Sequence, residues 1–320
     1  MPLYEVFSHS DRYHYRANLF SLATCFLILC TILTFLPPFL FAYYASGFWI
    51  KEGSYSEQAR INYSSKYILI VDNNDILTNR FFTSSYSSIN TIFRDVMIFG
   101  INTFSLNDTN NDGITDQFSI TFQAIIGGNI TNTIIKNINV WLIFEYELRA
   151  RQYINMETMA LINLVPPGEI TLENNPNVTV VGDLIFQQRQ PIQSSGVDTS
   201  YNQSIIDLNT LFTTSSINLN PILDEYFTRK YYTTYQPQYL KWKPGAVTGT
   251  NKLTINVILN VKSQSIRFIP GFWQEFKWGW IQYVCVLLPF IIVFNRIKEF
   301  VYRNQLVQTL VDLPYYRHKA

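Results

Sequence analysis

From Ala17 to Ile50 the chain carries no Asp, Glu, Lys or Arg, and neither does the run from Trp278 to Asn295. An apolar helix rising about 1.5 Å per residue needs roughly 20 residues to cross a ~30 Å hydrocarbon core. The first run exceeds that length. The second lies near the lower limit and has Phe272 and Trp273 beside it as interfacial anchors. A chain with two such runs is expected to cross a bilayer twice. A cleaved signal peptide would occupy the same place as the first run. That run is too long for a signal core, however, and Pro37-Pro38-Phe39-Leu40-Phe41 follows where a small-x-small cleavage site would be. The second run has Trp273, Trp278, Trp280 and Tyr283 gathered at one end, as in a membrane-interface belt, which a buried core helix does not need.

Orientation follows from the basic residues near the spans. The C-terminal tail holds Arg296, Lys298, Arg303, Arg317 and Lys319, and the N-terminal tail holds Arg12 and Arg16. Residues 51–277 hold 17 basic and 19 acidic residues. The expected layout is a cytoplasmic tail (1–16), a first span (17–44), an extracytoplasmic domain (45–270), a second span (271–295) and a second cytoplasmic tail (296–320). Five Asn-x-Ser/Thr sequons, at Asn62, Asn107, Asn129, Asn177 and Asn202, all fall in the middle domain and are the expected glycosylation sites if it is translocated. The three cysteines, Cys25, Cys30 and Cys285, lie in the apolar runs, so the middle domain has no disulfide. It is long enough to rest on its own core. A net charge of +1 gives no reason to expect a nucleic acid partner.

The middle domain has period two. Phe118 to Ala124 and Leu253 to Val261 alternate apolar with polar residues, the pattern of strands with one face on a core. Further strands are expected at Lys66–Val71, Asn139–Leu148, Thr158–Leu164 and Val178–Gln187. Asn, Gly, Pro and Ser clusters separate them. The predicted fold class is two transmembrane helices flanking a mainly-β domain, an antiparallel β-sandwich. Residues 194–250 have no clear pattern and read as long loops with one short helix near Pro221–Tyr226.

Several chemistries are excluded. The histidines are His9, His14 and His318, all in the tails. A middle domain without His or Cys can host no Ser-His-Asp triad, Cys-His pair or His/Cys zinc site. Carboxylate-only chemistry of the glycosidase kind stays formally open, but Glu145 and Glu147, which share a strand face, read as solvated surface. No Gly-rich phosphate loop is present. Neither apolar run carries an ionisable residue, which argues against an ion or proton pathway formed by this chain alone.

One constellation points to a metal. Asp108-Thr-Asn110-Asn-Asp112-Gly113-Ile114-Thr-Asp116 places oxygen side chains at positions 1, 3, 5 and 9, a glycine at 6 and a carbonyl at 7, the spacing of a structural Ca²⁺ loop. Position 12 is Ser119, where an EF-hand has Glu, and a strand pattern follows instead of a helix. The tendency of Asn and Asp to form polar turns accounts for the same composition. Both readings stand at the level of sequence.

Several blocks resemble the transmembrane protein 231 family of the ciliary transition zone. They are Leu3-Tyr4-Glu5-Val6-Phe7-Ser8-His9 with Tyr15-Arg16-Ala17; Pro37-Pro38 with Gly47-Phe48-Trp49-Ile50-Lys51 and Ser54-Tyr55-Ser56-Glu57-Gln58; the 108–116 loop; Gly182 to Pro191; and Pro270-Gly271-Phe272-Trp273 continuing through Trp280-Ile281-Gln282-Tyr283 to Arg296-Ile297-Lys298. They run in order from end to end, whereas residues 194–250 and the last dozen hold no recognisable block. The resemblance implies a non-enzymatic subunit of the Meckel syndrome (MKS) module. That assembly at the ciliary base is a diffusion barrier for membrane proteins and serves ciliogenesis. The implied partners are tectonic, meckelin and the cytoplasmic B9-domain proteins. The same domain and loop would also suit a calcium-dependent adhesion or ligand-binding receptor. A membrane-tethered glycosidase is a third, weaker reading.

Overall fold

The computed structural model describes residues 14–46, 50–74, 80–126, 133–193, 196–206, 219–245 and 251–312. The chain divides into two compact units, Glu52–Ile269 and the two flanking segments taken together. In chain order the strands are β1 (His14–Arg16), β2 (Gly53–Glu57), β3 (Arg60–Asn73), β4 (Arg80–Ser84), β5 (Phe99–Asn107) and β6 (Gln117–Ile125). There follow β7 (Ile134–Leu148), β8 (Tyr153–Leu164), β9 (Ile170–Thr171), β10 (Asn177–Gln188), β11 (Ile192–Gln193) and β12 (Val197–Asp198). The last four are β13 (Tyr231–Lys243), β14 (Lys252–Asn260), β15 (Gln264–Ile269) and β16 (Leu310–Asp312). The helices are α1 (Leu22–Ser46), α2 (Ser87–Ile92), α3 (Asn220–Thr228) and α4 (Phe272–Arg303).

In the helical unit, α1 is the one helix among the described residues that is long and apolar enough to cross a membrane. It starts at Leu22, not Ala17, because the Ser21 hydroxyl accepts the Thr24 amide at 3.3 Å, an N-cap that fixes the first turn. It runs through Pro37 and Pro38. Each proline removes one amide from the helical ladder, and the helix absorbs the loss. α4 continues past Asn295 for two further turns to Arg303. The two helices are antiparallel. Phe41 meets Phe290 at 6.0 Å between ring centroids, Phe39 meets Tyr283 at 6.4 Å and Phe26 meets Tyr302 at 5.9 Å. The Tyr302 hydroxyl donates to the Ala23 carbonyl at 2.9 Å. β1 and β16 pair antiparallel, so the two tails, which gave no strand signal, are stitched together.

In the β unit, one sheet has the order β13-β10-β14-β6-β5 and a second has β12-β8-β7-β3-β4, with β9 on β7. A small third sheet has the order β11-β15-β2. The alternation read from sequence decides which side chains go inward. Phe118, Ile120, Phe122 and Ala124 of β6 and Leu253, Ile255, Val257 and Leu259 of β14 are all buried. They share one core with Leu69, Val71, Val140, Leu142 and Phe144 of the second sheet. Phe118 and Phe144 stand 5.3 Å apart and Tyr67 and Phe122 5.0 Å apart. A second cluster covers the opposite face of β3, β7 and β8, where Ile68, Ile70, Trp141, Ile143 and Met159 pack with Ile222 and Tyr226 of α3. Burial on both faces explains why Tyr67–Val71 and Val140–Phe144 are continuous apolar runs.

Two expectations need correction. The sheets are not purely antiparallel, because β10 pairs parallel to β14, from Asn177↔Thr254 to Asp183↔Asn260. β13 returns antiparallel along one side of β10, and β14 then enters on the other side. Period-two alternation identifies strands but carries no direction, so the crossover was invisible. Residues 194–250 are also not only loop and helix. β13 is a 13-residue strand in which Tyr231 and Thr233 are buried and the rest is partly or fully exposed. Its Thr, Gln and Pro content hides it. The expected helix near 221–226 is present as α3.

Candidate functional site

Among the described residues, the surface feature with the clearest physical consequence is β5. It ends the five-stranded sheet, bonded only to β6. The register places Gly100, Asn102, Phe104 and Leu106 opposite the core-facing Ala124, Phe122, Ile120 and Phe118. Even so, Phe104 and Leu106 are about half exposed (51% and 55%), and Phe99 and Ile101 on the other face reach 81% and 57%. Tyr63 touches Phe104 at 5.5 Å, and its hydroxyl accepts from Asn102 at 3.1 Å, so the strand is held from one side only. Just before β5 the Ile98 amide bonds the Phe82 carbonyl of β4 at 3.0 Å, and from Phe99 to Asn107 there is no charged residue and no proline. An edge of this length with unpaired amides and carbonyls is a template for another strand.

The loop 108–116 leaves the end of β5. The Asp108 carboxylate accepts the Gly113 amide at 2.9 Å through Oδ2 and the Asp112 amide at 3.3 Å through Oδ1. Asn110 Oδ1 accepts the Asp112 amide at 3.1 Å, and Asp112 Oδ1 accepts the Ile114 amide at 2.8 Å. Gly113 sits at φ +80, which a glycine adopts without strain. Asp116 is tied elsewhere. Its Oδ1 accepts from Gln58 Nε2 at 2.8 Å and its Oδ2 from the Thr109 amide at 2.8 Å. These donors, Gln58 foremost, hold its carboxyl below the usual value. Among the described residues no cluster of three His, Cys, Asp or Glu is close enough to hold a metal. Asn110 Nδ2 also donates to Asp112 Oδ2 at 2.8 Å, yet lone pairs remain on the Asp108 and Asp112 carboxylates, with about four acceptor positions each, and on the Asn110 amide oxygen, with about two. The loop chemistry therefore fits a hard cation at positions 1, 3 and 5, with Asp116 serving as a tether to Gln58.

Of the sequons, Asn62, Asn107 and Asn202 are exposed, and Asn177 is partly buried with its Oδ1 accepting from Asn256 at 3.0 Å. Asn129 lies outside the described residues. Glu145 is exposed, and Glu147 pairs with Arg149 at 2.7 Å. The buried polar groups serve the fold. The Tyr226 hydroxyl, in the core, bonds Thr158 at 2.8 Å and the Thr233 carbonyl at 2.8 Å, joining α3 to β8 and β13. Glu157 pairs with Lys66 at 3.1 Å. β5 gives no edge signal in the sequence, although its lack of charge is readable there. The order of strands in the sheet was needed to see that it is an edge.

An apolar helix long enough to cross a membrane, a long helix antiparallel to it and a β-sheet unit between them in sequence are the plan of a membrane-anchored β-domain protein. The chain belongs to the Transmembrane protein 231 family, whose family model matches residues 1–311. The Transmembrane protein 231 of Xenopus tropicalis is 32% identical over 313 residues, covering 97% of this chain and 96% of its own length. That of Homo sapiens is 32% identical over 312 residues, covering 97% and 95%. That of Mus musculus is 31% identical over 312 residues, with the same coverage.

Proposed function

We propose that this protein is a non-enzymatic membrane subunit of the ciliary transition-zone (MKS) complex, contributing to the barrier that gates ciliary membrane composition and to ciliogenesis. In this reading α1 and α4 both cross the bilayer, the tails are cytoplasmic, and the two principal sheets form an extracytoplasmic sandwich. The antiparallel packing of α4 along α1 supports the second span, since a helix that follows a spanning helix from Ala23 to Phe41 follows it through the membrane. The observation that carries the assembly role is the β5 edge, which offers an uncharged apolar ladder to an extended segment of another subunit. The partners in this reading are tectonic and meckelin in the membrane and B9-domain proteins at the cytoplasmic tails.

The same reading gives the 108–116 loop a structural Ca²⁺ held by Asp108, Asn110 and Asp112, with Ile114 and Asp116 completing the loop. Filling it would stiffen the end of β5. The full-length protein should melt higher in calcium than in chelator. At a hundredfold excess of calcium over the dissociation constant the gain is about 2.7 kcal/mol, and it falls to ~1 kcal/mol near weak extracellular affinities. Asp112→Ala should erase the difference, and superimposable melting curves would leave a polar turn.

The proposed function is tested by tagging the chain in a ciliated cell. Labelling should form a narrow band just above the basal body, and purification should recover meckelin and B9-domain proteins by mass spectrometry. Uniform labelling of the ciliary shaft, or their absence from the purified material, would contradict it.

A further inference from the structure

The helical unit contains a pocket that its role as an anchor does not require. Phe272, Glu275, Phe276, Trp280 and Tyr283 lie on one face of α4 at helical spacing, with Phe39 of α1 closing the side, around a cavity of about 330 Å³. Gly279 lines the wall and carries no side chain to fill the space. The Phe272 and Phe276 rings stack 6.1 Å apart, Phe39 stands edge-on to Tyr283 at 6.4 Å, and Trp280 and Tyr283 are 6.3 Å apart. Glu275 is the pocket's one charged residue. Among the described residues no hydrogen bond or ion pair engages its carboxylate. Its place in the first turn of α4 suits the helix dipole and an interfacial belt suits aromatic rings at this depth, but neither requires the rings to gather around one carboxylate.

Depth narrows the choice of ligand. The charge-free run of α4 begins at Trp278. Glu275 therefore lies about 4.5 Å above the start of the apolar segment and Tyr283 about 7.5 Å below it, at 1.5 Å per residue. The pocket straddles the boundary where phospholipid headgroups meet the acyl region. Aromatic faces beside one carboxylate are the chemistry that recognises a quaternary ammonium, which has no N–H to donate and is held by ring quadrupoles and a nearby negative charge. An anion is repelled there, and a primary ammonium, which could donate N–H to Glu275, is the competitor the test must exclude. We infer that this pocket binds the trimethylammonium headgroup of a choline phospholipid in the extracytoplasmic leaflet. The inference rests on the two-span reading of α1 and α4.

The test uses the full-length protein in mild detergent, offered equal amounts of phosphatidylcholine, phosphatidylethanolamine and phosphatidylglycerol, with bound lipid counted by native mass spectrometry, and equal retention of the ethanolamine lipid would overturn the choline assignment. Phosphatidylcholine should be retained in preference. Glu275→Gln and Trp280→Ala should each weaken its retention about tenfold, the scale of a desolvated cation–π contact, and Trp280→Phe should keep most of it. Retention by Glu275→Gln and Trp280→Ala equal to the wild type would overturn the site. Displacement by choline chloride as efficient as by a short-chain phosphatidylcholine would assign it to soluble choline and overturn the lipid. The topology has its own readout. Lys277→Cys, in a chain whose Cys25, Cys30 and Cys285 are changed to Ser, should react with an impermeant maleimide only from the extracytoplasmic side. Reaction from the cytoplasmic side would overturn the two-span reading itself. The expected labelling without choline selectivity would overturn the pocket alone.

Discussion

The two edges of the five-stranded sheet are built on opposite plans. β13 carries Pro237, a register shift opposite Val181 and Gly182, and Lys241 and Lys243 near its end. Each of these obstructs pairing with a further strand: proline withholds an amide, a bulge twists the edge away, and lysine resists burial. β5, at the other edge, has no proline, no charge and no bulge in its pairing with β6, and it exposes Phe99, Ile101, Phe104 and Leu106. One sheet thus has a guarded edge and an open one. This contrast is the observation on which the proposed pairing at β5 rests.

The largest expected effect comes from giving β5 the guard that β13 has. Ile101→Lys with Thr103→Lys puts two charges on the exposed edge, and capture of membrane partners should fall at least tenfold, about the effect of losing 1.4 kcal/mol. The melting temperature should stay within a few degrees, because both positions are exposed. A large loss of stability would mean that β5 is covered within the chain itself.

Next in size is the bulge at the guarded edge. A Cβ on Gly182 would stand 2.1 Å from the Tyr235 ring and 2.5 Å from the Gln236 carbonyl. Gly182→Ala should cost about 3 kcal/mol, the upper part of the overpacking range, and loosen β13 from β10. Urea unfolding measures it, and a loss under 1 kcal/mol would show that the edge yields easily.

The smallest effect is a pH dependence confined to the guarded side. The Tyr231 hydroxyl, at the start of β13, donates to Asp198 of β12. Burial pushes the Asp198 carboxyl up, but the Ser200 and Tyr231 hydroxyls and the Ser200 amide outweigh it and hold the carboxyl below its ordinary 3.8. Burial and the same carboxylate raise the Tyr231 phenol far above 10.0. A depressed acid stabilises the fold above its unfolded value and loses that contribution as pH falls through the folded one. A raised phenol stabilises below its unfolded value and loses that contribution as pH rises. The pair should hold β13 steadily between about pH 4 and 10 and weaken outside that window. Asp198→Asn should lower the melting temperature at pH 7, and the gap to the wild type should narrow as the pH falls below about 4. A constant gap across that range would remove the pair from the account. β5 has no titratable side chain and should show no such dependence.

Much of the fold was legible because apolar residues repeat at the spacing their burial demands. The β6 and β14 alternation and the α1 run are each direct records of one face or one length of burial. Tyr231 to Lys243 was not legible, because an edge strand buries little and its Thr, Gln and Lys serve water. The parallel β10–β14 pairing was hidden because direction leaves no trace in alternation. At the candidate site, the oxygen spacing of 108–116 was readable, but the tie of Asp116 to Gln58 joins residues far apart in the chain. Glu275 reads in sequence as an ordinary helix-start acid, and the aromatic faces around it come together only through helical spacing and the approach of Phe39.

The central claim, that β5 is an open edge filled by a partner strand, is tested most directly by amide hydrogen exchange on the full-length chain, alone and within the purified complex. The amides of 99–107 that point away from β6 should exchange quickly in the isolated protein and slow by at least tenfold in the complex, while those of 234–243 stay unchanged. Equal exchange at 99–107 in both states, or protection that appears at 234–243 instead, would contradict it.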